Sequence, residues 1–158
     1  SGGIGGKVAD IARNLGMKVV ITSRSPKPDA VPLDELLQTS DFVSLHCPLN
    51  AETKHTINKP RLEMMKKTAF LINTGRGGLI MESDLIEALQ NGVIAGAGLD
   101  VQETEPPAPD NPLYTLENVI LTPHIGWKRL ETRQRLMDIV ADNIAAFNQS
   151  SPVNVVTG

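Results

Sequence analysis

Five short apolar runs, at 17–22, 41–46, 68–73, 93–101 and 119–121, alternate with stretches whose apolar residues recur at helical spacing. Runs this short and this continuous read as strands covered on both faces. Strands separated by helices pair in parallel, because each crossover helix packs back onto the sheet it left. The chain is therefore predicted to be an α/β domain built on a doubly wound parallel sheet. Helices are expected after the opening glycines and over 33–39, 59–66, 82–91 and 128–148. Aromatic residues make up only 3% of the chain, so the core must come from Leu, Ile, Val, Ala and Met.

The opening SGGIGGKVADIARNLGMKVVIT reads as a glycine loop, an amphipathic helix and a strand. Val8, Ile11, Ala12 and Leu15 set the helix face, and Gly16 ends it. That order is the phosphate-binding half of a dinucleotide site: Gly2, Gly3, Gly5 and Gly6 let backbone N–H groups approach a pyrophosphate. In the full pattern G-x-G-x-x-G, Gly2 and Gly5 stand for the last two glycines, and the first glycine is absent. The strand before the loop, which lies at the centre of such a sheet, is absent too. A fragment is expected, with its first strand missing. The bland alternative for a Gly-rich terminus is a linker.

NAD-binding strands usually deliver an acid to the ribose about 20 residues on. Here the strand ends Thr22, Ser23, Arg24, Ser25, with no acid before Asp29. Two hydroxyls and a guanidinium suit a 2′-phosphate, which a carboxylate would repel. The pattern favours NADPH over NADH. Arg24 stacking on adenine or facing solvent is the competing reading.

The other strand ends carry the remaining chemistry. His46, Cys47 and Pro48 follow the second run; Cys47 reads as a small buried residue and His46 as a positioning residue. His55, in NAETKHT, is expected to face solvent. Arg76 sits among Thr74, Gly75, Gly77 and Gly78, free to offer a planar fork to a carboxylate, or else to a surface ion pair. Asp100 closes the small-residue run and suits a carboxamide N–H₂ or a turn cap. A Pro-rich loop with Glu103 and Glu105 follows, and then Thr-Pro-His at 122–124. A carboxylate beside an imidazole fixes its tautomer and favours its charged form. The simplest chemistry that uses the glycine loop, Arg24, Arg76, Glu105 and His124 together is hydride transfer between a nicotinamide cofactor and a small 2-oxo or 2-hydroxy acid. Arg76 holds the carboxylate and His124 moves the proton.

These residues carry a resemblance. GGIG at 2–5, HCPLN at 46–50, LINTGRGG at 71–78, AGAGLDV at 95–101, ETEP at 103–106 and TPHIGW at 122–127 resemble the nucleotide-binding domain of the D-isomer-specific 2-hydroxyacid dehydrogenases. Trp127 and the closing NVV at 154–156 look like its glyoxylate/hydroxypyruvate reductase and glycerate dehydrogenase-like members. The resemblance implies a Rossmann-type fold, and Arg76, Glu105 and His124 as catalytic residues. It alone chooses Glu105 over Glu103. The candidate cofactor contacts are Ser1, Gly2, Gly3, Ile4, Gly5, Ser23, Arg24, Ser25, His46, Cys47, Pro48, Thr53, Thr74, Gly75, Arg76, Asp100, His124 and Gly126. It implies NADP or NAD as cofactor, a homodimer formed through this domain, and a substrate domain built mainly from an N-terminal portion lacking here. The expected division is a dinucleotide-binding domain over 1–149 and a tail over 150–158 toward that domain. Such a fragment is not expected to turn over alone. Ser23, where NAD-using members carry an acid, supports NADP.

A net charge of −3 argues against nucleic acid or an anionic membrane as partner, and no run reaches the roughly 20 apolar residues of a membrane span. A single cysteine excludes a disulfide framework and a Cys/His zinc cluster, and fits a reducing, cytoplasmic setting. The alternative from another class is a dehydrogenase-like, nucleotide-sensing co-repressor. The triad does not exclude it, whereas a long disordered tail would favour it.

Overall fold

The structure is a computed structural model that describes residues 2–23 and 30–156. Four strands form one sheet: β1 (Phe42–Leu45), β2 (Phe70–Asn73), β3 (Gly96–Leu99) and β4 (Val119–Leu121). They lie side by side in sequence order, every pair parallel. The helices are α1 (Gly3–Asn14), α2 (Leu33–Thr39), α3 (Lys59–Met64), α4 (Glu82–Gln90) and α5 (Leu130–Asn148). The predicted doubly wound α/β class and four of the five predicted strands are observed.

The core shows why. Val43, Leu71, Ala97 and Leu99 from the strands are buried with Leu37 of α2, Leu62 of α3 and Leu85 and Leu89 of α4. Each helix contributes the apolar stripe that its spacing sets out. Asn58 caps α3 by accepting the Arg61 N–H, and Lys59 reaches across to Glu87 of α4 at 2.6 Å.

The register aligns the strand ends. Leu45 pairs with Asn73, Asn73 with Leu99, and Leu99 with Leu121. One row of residues thus closes all four strands, and His46, Thr74, Asp100 and Thr122 follow it at the same edge.

Two expectations fail. The run at 17–22 is not a strand: it joins its neighbours by a single bridge, Ile21 to Ala30. Strand structure is a property of pairs, and no described residues line up along this run to complete a ladder. The face of α1 is the second. Val8, Ile11 and Leu15 are 41%, 59% and 76% exposed, and only Ala9 is buried. The helix has the right pattern but, among the described residues, little to cover it.

The chain forms two compact units, divided between Pro123 and His124. In the second, α5 buries none of its residues, and its apolar positions Leu136, Ile139, Val140 and Phe147 are exposed. Arg133 lies over the Trp127 ring at 5.9 Å, and Asn154 donates to Asn143 at 2.9 Å. No described helix is long and apolar enough to cross a membrane.

Candidate active site

Arg76 leaves β2 on a loop shaped from below. Asn73, the last residue of β2, is fully buried, and both ends of its amide are used. Its Nδ2 donates to the Arg76 carbonyl at 3.0 Å, and its Oδ1 accepts the Gly75 N–H at 3.1 Å. A buried amide must find such partners, and here they are the carbonyl of the arginine and the N–H of the residue before it. The loop is thereby fixed while the Arg76 side chain stays exposed; its Nη1 donates to the Gly75 carbonyl at 2.8 Å. Asn73 was not singled out by sequence reasoning. The available signal was an amide at the close of a buried apolar run.

The next residue ties this loop to the acidic one. A Cβ on Gly77 would overlap the Gln102 carbonyl, so only glycine permits this approach of the two backbones. Gln102 in turn donates its N–H to Glu105 Oε1 at 3.2 Å. Arg76 and Glu105, assigned by resemblance, thus sit on loops that touch.

Asp100 lies one residue beyond β3 and is buried, with its N–H bonded to the Asn73 carbonyl at 2.9 Å. Its Oδ1 accepts the Thr122 hydroxyl. Thr122 is a partner that spacing did not reveal, 22 residues on and brought alongside by parallel pairing. His124 opens the second unit with φ +51°. Gly126 belongs to the same unit.

At the end of β1, burial holds the His46 imidazole below its ordinary pKa and favours the neutral ring, which shares a 2.9 Å bond with the Ser44 hydroxyl. Cys47, expected to be buried, is half-buried and packs against the core. Thr53 is buried, donating to the Pro48 carbonyl at 2.7 Å and accepting the Asn50 N–H at 2.8 Å. It holds the HCPLN loop in shape.

His55 overturns the expectation of a solvent-facing loop residue. Its side chain is 22% exposed and bonds Glu103 Oε1 through Nε2 at 2.6 Å. Burial works to raise the Glu103 carboxyl, but the Glu82 N–H, His55 and Lys54 outweigh it and hold the group below its ordinary pKa. Glu103 is therefore a built-in partner and not an idle neighbour of Glu105.

The glycine segment begins a helix sooner than expected: α1 starts at Gly3, with Gly2 as its N-cap. No side chain caps it, no acid lies in its first turn, and nothing stands within 4 Å of a Cβ placed on Gly2 or Gly3. Free first-turn N–H groups and the helix dipole make this end a fit for an anion such as a pyrophosphate. A Cβ on Gly5 would meet His46 Cβ at 3.1 Å, which brings the helix start against the end of β1. Ser23 is half-buried, while Ser1, Arg24 and Ser25 lie outside the described residues. Among those described, no group of three His, Cys, Asp or Glu residues is placed to hold a metal ion.

A parallel sheet with its polar groups gathered at the carboxyl ends, and an open helix start facing them, is the architecture of a dinucleotide-binding α/β domain. Sequence comparison narrows the class. Residues 1–126 match the D-isomer specific 2-hydroxyacid dehydrogenase, NAD binding domain, and the chain belongs to that family. It is 47% identical to the hydroxypyruvate reductase of Blautia hydrogenotrophica, covering 98% of this chain and 50% of the relative. It is 46% identical to the glyoxylate reductase of Korarchaeum cryptofilum, covering 98% and 49%. Among solved structures, the TT0316 protein from Thermus thermophilus superposes with a TM-score of 0.93 at 44% identity, covering 98% of this chain and 50% of that one. The chain spans about half the length of the curated relatives it matches.

Proposed function

We propose that the protein of which this chain is the nucleotide-binding part reduces small 2-oxo acids to 2-hydroxy acids, with glyoxylate and hydroxypyruvate as the leading substrates. The observation that carries this reading is the Asn73-held loop, which presents the exposed Arg76 guanidinium at the same sheet edge as Asp100. An exposed planar fork on a rigid base suits a carboxylate in a fixed orientation. The names of the relatives supply the substrate class.

A nicotinamide cofactor supplies the hydride when bound. The open start of α1 would hold its pyrophosphate, and Asp100 its carboxamide. Arg76 binds the substrate carboxylate and orients the carbonyl carbon. His124 delivers its proton to the developing alkoxide oxygen during reduction and takes it back in the reverse direction. By the family resemblance Glu105 is the acid that would partner the catalytic histidine. For the cofactor we infer NADPH, because Ser23 offers a hydroxyl where a carboxylate would repel a 2′-phosphate.

The complete protein, assayed with hydroxypyruvate, glyoxylate and pyruvate against NADH and NADPH, tests this directly. Oxidation of reduced cofactor with at least one 2-oxo acid is expected. No turnover with any pairing refutes the reading. His124→Ala is expected to depress kcat by about 10²–10⁴-fold with cofactor affinity near wild type.

A further inference from the structure

We propose that His55 is a positioning residue that sets the loop of Glu105 against the loop of Arg76. It bonds to both. Its backbone N–H donates to the Gly78 carbonyl at 2.8 Å, two residues beyond Arg76. Its Nε2 bonds Glu103 Oε1 at 2.6 Å, two residues before Glu105. An ionised carboxylate only accepts, so the ring donates there. The backbone at His55 has φ +51°, a conformation that non-glycine residues seldom adopt without compensating contacts.

Glu103 passes the constraint on. Its second oxygen accepts the Glu82 N–H at 3.0 Å, and its own N–H donates to Glu82 Oε2 at 2.8 Å. The other Glu82 oxygen accepts from Asn111 Nδ2 at 2.8 Å, and Asn111 also donates to Gln102 Oε1 at 3.1 Å. Gln102 ends the path with its N–H on Glu105 Oε1. The start of α4 thus anchors both sides of the acidic loop, and His55 joins that anchor to the arginine loop. The charged groups around the pair are Glu82, on the backbone of Glu103, and Lys54, beside its carboxylate. The His55–Glu103 pair is partly shielded, with side chains 22% and 30% exposed, so its geometry is held more firmly than a fully solvated ion pair.

The inference rests on the proposed role of Glu105, and the test separates the two. In the complete protein, kcat, both KM values and the pH profile with hydroxypyruvate are measured for His55→Ala, His55→Gln, Glu103→Ala, the double alanine variant and Glu105→Gln. His55→Ala and Glu103→Ala are each expected to lower kcat about tenfold, with KM for the cofactor within about twofold. The double variant is expected to be no worse than either single one, because both break the same link. His55→Gln keeps a side-chain N–H donor and is expected to restore most of the loss. The pH profile of reduction is expected to change in both alanine variants in the same direction as in Glu105→Gln, because all three disturb the same carboxylate. If Glu105→Gln lowers kcat and alters the profile while the His55 and Glu103 variants lose only thermal stability, this inference is overturned and the catalytic reading stands. Additive losses in the double variant overturn it as well. If Glu105→Gln itself leaves the profile unchanged, both fall.

Discussion

The two ends of the glycine-bearing unit follow the same sequence rules and reach different outcomes. Between β2 and β4, apolar runs, helix stripes and strand ends lock together: Leu71, Leu79, Leu85 and Leu113 are all but completely buried, and Asn73 is buried with both amide ends bonded. Between Gly2 and Ser23 the apolar pattern is as clear, yet Ile11 and Leu15 are exposed and the run at 17–22 holds one bridge. Pattern states what a segment can bury. A neighbour decides whether it does. The proposed carboxylate anchor is built into the well-packed end, and the proposed pyrophosphate site into the sparsely covered one.

That contrast can be broken at its functional end first. In the complete protein, Arg76→Ala is expected to lower kcat/KM for hydroxypyruvate by about 10²–10³-fold, the loss typical of a charge-assisted anchor, while cofactor affinity measured by fluorescence titration holds. Equal loss of cofactor binding would mean that the rigid loop serves the nucleotide and not the acid. Packing comes next. Leu71→Ala is expected to cost about 2–5 kcal/mol in urea unfolding of this chain, whereas Ile11→Ala is expected to stay within about 0.5 kcal/mol. Similar costs at both positions would erase the distinction between the two ends.

Smaller effects sharpen it. Ser23→Asp is expected to move the kcat/KM ratio toward NADH by about tenfold, roughly 1.4 kcal/mol, read from parallel assays with the two cofactors. A wild type that already prefers NADH would defeat the argument from Ser23. The smallest effect concerns Glu103, whose folded-state pKa lies below its ordinary value. Its contribution to stability is present in full above the unfolded-state pKa and is lost as pH falls through the folded one. Unfolding of wild type and Glu103→Gln from neutral to acidic pH is expected to show a gap below about 1 kcal/mol that closes on acidification. A gap constant with pH would mean that the pair contributes through shape and not through charge.

Much of this was legible in the sequence, and its limits follow from range. Strands β1 to β4 could be read because each is a continuous apolar run bounded by turn residues, and those signals are local. The loop carrying Arg76 could be read from its glycines. The 17–22 run misled because pairing is not local. His55 misled for a similar reason: a polar loop sequence says nothing of a carboxylate 48 residues away. The Asp100–Thr122 bond needed parallel register to bring its partners together. The choice between Glu103 and Glu105 came from family resemblance alone, and the structure gives the neglected glutamate its own task.

The row Leu45, Asn73, Leu99 and Leu121 has a consequence for how such a molecule can change. Everything before that row is scaffold, and most of the proposed chemistry within this unit starts after it. The segments leaving the row can lengthen, shorten or exchange residues without moving a strand, so substrate preference can drift while the sheet stays still. A graft confined to residues 106–110 therefore has a natural seam, because it leaves the bonded residues Gln102, Glu103, Glu105 and the cap at Asn111 in place.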